Sequence, residues 1–135
     1  MARIFITGSA DGLGLMEARL LVAEGHEVVL HGRSRQRASE ASSKVPGALA
    51  AVAADLASIA ETISLADKVN DLGKFDAVIH NAGVYGGSHC IRTVDGLPRI
   101  FAVNSLAPYI LTCLIERPKR LVHKRSIPRT TGCST

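Results

Sequence analysis

The stretch Thr7-Gly8-Ser9-Ala10-Asp11-Gly12-Leu13-Gly14 sets three glycines between two unlike neighbours. Before it, Arg3 to Thr7 is a short β-rich run closed by glycine. After it, Leu13 to Ala23 carries Leu13, Met16, Leu20, Leu21 and Ala23 at helical spacing. A strand must therefore turn sharply into a helix. Gly8 permits the turn, Gly12 removes a Cβ that would block a ligand, and Gly14 allows close packing of helix on strand, while the free N–H groups at the helix start face an anion. A diphosphate is the natural guest of such a loop. A glycine-rich turn without a ligand is the plainer alternative, and the strand and helix on either side favour the nucleotide.

The alternation continues down the chain. Glu27 to His31 is a second β-branched run ended by Gly32, and Arg35 to Lys44 is a polar helix candidate stopped by Pro46-Gly47. Ala48 to Ala53 supplies a small-residue strand. Ser58 to Leu72 reads as a helix with Ser58 as N-cap and Gly73 just past its end, followed by a strand over Phe75 to His80. A loop from Tyr85 to Gly96 leads to a long apolar helix, Leu97 to Ile115, which Pro108 is expected to kink near its middle. Lys119 to Val122 starts a fifth strand. Apolar strands joined in turn by helices predict an α/β fold: a doubly wound parallel sheet of about five strands, covered on both faces and incomplete at its C-terminal edge. Beyond Val122 only Ile127 is large and aliphatic, so residues 123–135 are expected to form a basic, disordered tail behind one domain over residues 1–122.

A chain of 135 residues and 14.3 kDa has room for one domain. Arg3, Glu17, Arg19, Glu24 and Glu27 interrupt the apolar N-terminal third, so no run reaches the roughly 18 residues of a membrane span. The start also breaks to glycine and acid too early for a signal peptide, and a cytoplasmic location with no membrane partner is expected. A net charge of +4 raises nucleic acid as a partner, but residues 1–116 carry ten Lys/Arg against twelve Asp/Glu. The basic excess sits in residues 117–135, which lack aromatic stacking residues, and no nucleic-acid partner is expected. Cys90, Cys113 and Cys133 are odd in number and form no Cys-x-x-Cys pair, which reads as ordinary thiols in a reducing compartment. Neither the five histidines nor the adjacent His89-Cys90 has zinc-site spacing, so no metal is expected. No Gly-x-Ser-x-Gly elbow supports a serine hydrolase.

Four segments occur in one order: Thr7-Gly-x-x-x-Gly-x-Gly14, Asp55-Leu56 after the third strand, His80-Asn81-Ala82-Gly83 after the fourth, and Val103-Asn104-Ser105 in the long helix. Together, over residues 2–122, they resemble the short-chain dehydrogenase/reductase family. The resemblance implies a Rossmann-type fold that binds a nicotinamide dinucleotide for hydride transfer between carbonyl and alcohol. By it, Gly8, Ser9, Gly12, Leu13 and Gly14 hold the cofactor, Asp55 and Leu56 flank its adenine, and Asn81, Ala82 and Gly83 line its ribose and nicotinamide side. Asn104 takes the helix-kink position that the family uses in a proton relay. Buried hydrogen bonding that ties the fourth strand to the long helix is the alternative role for Asn81 and Asn104.

Where a carboxylate after the second strand would select NAD, the chain reads His31-Gly32-Arg33-Ser34-Arg35. Arg33 offers a planar guanidinium suited to a 2′-phosphate, with Arg35 as helper, so NADP(H) is expected over NAD(H). Two features stand apart. Asp11 occupies a position that is often basic in NADP-dependent relatives, and Arg33, Arg35 and Arg37 read alternatively as a solvated basic turn.

The family's Tyr-x-x-x-Lys pair is missing: Tyr85 precedes His89 and Tyr109 precedes Cys113 at that spacing. Ser126 falls near the slot of the family's catalytic serine but reads as part of the tail. The chain is therefore expected to be the cofactor-binding part of a longer reductase, without turnover by itself. A non-catalytic nucleotide-binding or regulatory module is the alternative. An unprotected edge strand and an uncovered apolar helix predict marginal stability and self-association.

Overall fold

The computed structural model describes residues 1–84 and 91–124. Five parallel strands, β1 (Arg3–Ile6), β2 (Glu27–Gly32), β3 (Ala50–Ala53), β4 (Ala77–His80) and β5 (Arg120–His123), form one sheet in the order β3-β2-β1-β4-β5. Helices α1 (Gly12–Ala23), α2 (Arg35–Lys44) and α3 (Ile59–Asp71) join the first four strands in turn. The expected Rossmann-type, doubly wound arrangement is present.

Strand residues alternate between two cores. Ile4, Ile6, Val28 and Leu30 pack with Leu15 and Ala18 of α1 and Ala41 of α2. Phe5, Val29 and Val78 turn to the opposite face, against Leu65, Ala66 and Val69 of α3 and Leu111 beyond them. A strand buried on both faces needs apolar side chains at successive positions, which is why these runs lack polar alternation. Phe75, just before β4, meets Phe5 edge-on with ring centroids 6.2 Å apart.

Capping follows side-chain chemistry. The Ser34 and Ser58 hydroxyls accept the Arg37 and Glu61 N–H groups at 3.2 and 3.3 Å, which starts α2 and α3. Gly73 follows α3 at φ +104°, a conformation that glycine adopts without penalty. Three strands are shorter than the apolar runs suggest, with β1 ending at Ile6, β3 starting at Ala50 and β4 starting at Ala77, while β2 extends one residue further, to Gly32.

The long helix differs from its expected form. It consists of α4 (Arg99–Phe101), a π turn over Ala102–Leu106 and α5 (Ala107–Leu114). The irregularity precedes Pro108 instead of centring on it. Pro108 lacks an N–H and its ring would press on the carbonyl four residues back, so it stands in the first turn of α5. The wider turn before it is marked by the bond from the Ala107 N–H to the Ala102 carbonyl.

At the other end, β5 runs one residue past its expected limit. His123, assigned to the tail by composition, is the strand's last residue and pairs in register with His80. All four β5 residues are exposed, Leu121 and Val122 among them. Residues 125–135, including Ser126 and Cys133, lie outside the described residues, as do Tyr85, His89 and Cys90.

Candidate cofactor site

β1 lies between β2 and β4 although the chain reaches β4 only after β2 and β3. That reversal opens a crevice at the carboxyl ends of β1 and β4, the place where open α/β sheets hold their ligands. Four turns converge there: the glycine loop after β1, the end of β2, the β3–α3 turn and Asn81 to Val84 after β4.

The glycine loop has the geometry its sequence implies. Gly8 is at φ +65°, and a Cβ there would stand 2.8 Å from the Ala82 Cα. Gly12 is at φ +56° with open space where its Cβ would project. A Cβ on Gly14 would lie 2.4 Å from both the Gly8 carbonyl oxygen and the Asn81 side-chain nitrogen, so close packing requires this glycine. Leu13 is exposed at the loop's outer side.

Asp11 is the N-cap of α1 by position, yet its carboxylate does not cap. It pairs with the Arg37 Nη2 at 2.6 Å, and Arg37 also reaches Glu40 at 3.3 Å. The first helix amide with a backbone acceptor is Leu15, bonded to the Asp11 carbonyl. Three donors at Gly12, Leu13 and Gly14 are therefore left at the positive end of the helix, beside the open face of Gly12. This arrangement fits a diphosphate.

Ser9 behaves otherwise. It is fully buried, its hydroxyl donates to the Ile6 carbonyl at 3.0 Å and accepts the His31 N–H at 2.8 Å, and its own N–H bonds to the His31 carbonyl. Its side chain clamps β1 to β2 and does not face the crevice. Leu56 likewise turns into the core, which leaves Asp55 and Ala57 to line a groove with Arg33, Ser58 and Arg99. The Asp55 carboxylate accepts the Ala57 N–H at 2.9 Å. Arg33 is exposed at the groove and makes no ion pair among the described residues.

The turn after β4 is locked from both sides. The Thr7 hydroxyl oxygen accepts the Asn81 and Ala82 N–H groups at 3.1 and 3.0 Å, and the Asn81 side chain donates to the Gly8 carbonyl at 3.1 Å. Gly83 is exposed at the end of this turn. Asn104, within the π turn, accepts the Val84 N–H at 2.8 Å and donates to the Val84 carbonyl at 2.9 Å. Asn104 thus ties the turn after β4 to the long helix, whereas the Asn81 side chain bonds to the glycine loop, and both are half-buried.

Thr7 opens the glycine motif without a role assigned by it, and His31 lies in no motif. Both are buried polar residues at strand ends, and a threonine or histidine in an otherwise apolar strand is the signal that could have marked them. Among the described residues, no three His, Cys, Asp or Glu side chains are grouped to hold a metal, and no helix is long and apolar enough to cross a membrane.

Residues 2–118 match the family model for short chain dehydrogenase. The chain belongs to the short-chain dehydrogenase family. It is 53% identical over 129 residues to an uncharacterized oxidoreductase of Emericella nidulans, covering 93% of this chain and 51% of that protein. It is 54% identical over 128 residues to a short-chain dehydrogenase of Penicillium rubens, covering 94% of this chain and 49% of the relative. This short-chain dehydrogenase chain thus spans about half the length of the curated relatives it matches. Among solved structures, it superposes on a Sphingobium yanoikuyae short-chain dehydrogenase in complex with NADPH with a TM-score of 0.67 at 25% identity, over 85% of this chain and 47% of that one. An NAD+-bound xylitol dehydrogenase gives a TM-score of 0.74 at 25% identity, over 90% and 52%.

Proposed function

We propose that this chain is the cofactor-binding part of a short-chain oxidoreductase and takes NADP(H) in preference to NAD(H). The observation that carries the reading is the open start of α1: Asp11 is drawn to Arg37, so the Gly12, Leu13 and Gly14 amides are left to grip a diphosphate. Arg33 supplies the choice of cofactor, as a guanidinium without an ion pair among the described residues, just past β2 where an NAD-selective site would place a carboxylate. Arg37 offsets the Asp11 charge in part, since the same guanidinium is shared with Glu40. Solved relatives include both an NADPH and an NAD+ complex, so the preference rests on this chain's own residues.

A bound nicotinamide ring supplies hydride chemistry. In this chain, Asn81 to Gly83 form the wall of the crevice on that side, and Asn104 holds the following Val84 in place. Tyr109 is exposed on α5 with Cys113, not lysine, one turn on, so no activated tyrosine is built there to donate a proton. The chain alone is read as binding without turnover, in a cytoplasmic setting. Exposed Leu121 and Val122 on β5, with Phe101 and Tyr109 on the long helix, favour self-association.

Titration with NADPH and NADH, followed by nicotinamide fluorescence, tests the reading. Tighter binding of NADPH is expected. Failure to bind either cofactor would overturn the cofactor reading, and equal affinities would overturn the preference. NADPH oxidation with aldehydes, ketones or quinones by the purified chain would overturn the absence of turnover.

A further inference from the structure

We infer that His31 is a positioning residue for the cofactor: as a neutral ring with its proton on Nε2, it ties the glycine loop to the end of β3 and fixes the crevice before a ligand arrives. The inference rests on the cofactor reading above.

His31 is the penultimate residue of β2 and only 2% exposed. Its Nδ1 accepts the Gly8 N–H at 2.9 Å, and its Nε2 meets the Ala54 carbonyl at 2.8 Å. A backbone amide can only donate and a carbonyl can only accept, so the two partners together determine the tautomer. Proton on Nε2 satisfies both. A proton on Nδ1 would point at the Gly8 N–H and break the bridge.

The backbone of the same residue is held as firmly as its ring, since its N–H and carbonyl are both engaged by Ser9. The ring therefore reaches from the loop that carries the diphosphate amides to Ala54, one residue before the Asp55 that lines the groove. It joins two walls of one crevice that belong to different strands. A valine or leucine here would suit a buried strand equally well, yet would leave the Gly8 amide and the Ala54 carbonyl without partners.

The bridge also assigns the loop's donors. The Gly8 amide points into the protein, which leaves ligand contact to the amides at the start of α1. Burial holds the His31 pKa down to about 4, the Ala54 bond and the Asp55 charge pulling weakly the other way, so the ring stays neutral at ordinary pH.

NADPH dissociation constants of the wild type, His31→Leu and His31→Asn, measured at pH 7.5 beside thermal melts, test this. Asparagine places an amide oxygen near the Nδ1 position and can still accept the Gly8 N–H. His31→Leu should weaken NADPH binding at least tenfold while His31→Asn recovers most of the loss. Long-range proton–nitrogen NMR of histidine-labelled wild type should show a protonated Nε2 and a bare Nδ1. Unchanged affinity in a folded His31→Leu, or a proton on Nδ1, overturns the inference. Should His31→Leu fail to fold, the wild-type tautomer and the His31→Asn affinity decide: asparagine keeps the Gly8 bond and loses the Ala54 bond, so a bare Nδ1 with NADPH binding weakened severalfold supports the inference, and native affinity or a proton on Nδ1 overturns it. A wild type that binds neither NADPH nor NADH overturns the cofactor reading itself, whereas a binding wild type with indifferent variants overturns only the role of His31.

Discussion

The side-chain amide of Asn104 pairs with both backbone groups of Val84, accepting from its N–H at 2.8 Å and donating to its carbonyl at 2.9 Å. One side chain thereby does for the chain leaving β4 what a neighbouring strand does elsewhere in a sheet. Asn104→Ala leaves two half-buried backbone groups unpaired and should cost about 1–3 kcal/mol of stability, read as a lower urea midpoint. An unchanged midpoint would show that water replaces the amide without loss.

Arg33→Ala should weaken NADPH by about 1.5–3 kcal/mol, the scale of a charge-assisted hydrogen bond, and leave NADH nearly unchanged. Fluorescence titration of both cofactors measures the difference. Equal losses would remove Arg33 from the 2′-phosphate site.

Gly12→Val fills the open face beside the α1 amides and should abolish NADPH binding. No atom within 4 Å opposes the new Cβ, so the far-UV spectrum should stay close to wild type. The backbone at φ +56° adds strain on the order of 1–2 kcal/mol, visible as a lower melting temperature. Retained NADPH affinity would dissociate the loop from the ligand.

Stability should fall on mild acidification. His31 and His80 are buried, and desolvation holds both at about 4, with His123 beside His80 adding like-charge repulsion. In the unfolded chain a histidine titrates near 6.5, so between these values the unfolded state binds protons that the folded state refuses. Stability is fully present above about pH 6.5 and declines towards pH 4, by up to about 3 kcal/mol for each ring. Urea midpoints at pH 7.5 and 4.5 measure the slope, and His80→Asn should flatten it. A wild-type midpoint that does not move would contradict the burial of both rings.

The uncovered edge should be sticky. Leu121 and Val122 are 49% and 43% exposed on a strand with no outer neighbour among the described residues. Leu121→Lys should lower the average mass seen by light scattering, and a wild type that is monodisperse and monomeric at high concentration would refute the association.

Much of this was legible in the residues. Helix α2 is found at Arg35–Lys44 as its polar run and breaker residues imply, and the glycines at 8, 12 and 14 each take a distinct geometric part. Two features were not legible, for a common reason. The inward turn of Ser9 and the burial of Leu56 depend on partners distant in the sequence, and local pattern carries no information about them. The kink expected at Pro108 is instead a π turn just before it, because proline marks that a helix must adjust without saying on which side. His31 was read as an ordinary strand residue, since its meaning lies in Gly8 and Ala54, each 23 residues away.

The seating of β4 against β1 has a consequence for biosynthesis. Ile6 meets Ile79, so one wall of the crevice is translated long before the other. While the ribosome is still short of His80, the glycine loop has no Asn81 or Ala82 to rest on, and β1 shows a bare flank to solvent or to a chaperone. On the proposed cofactor reading, competence to hold a coenzyme therefore waits until the fourth strand and the turn after it have emerged.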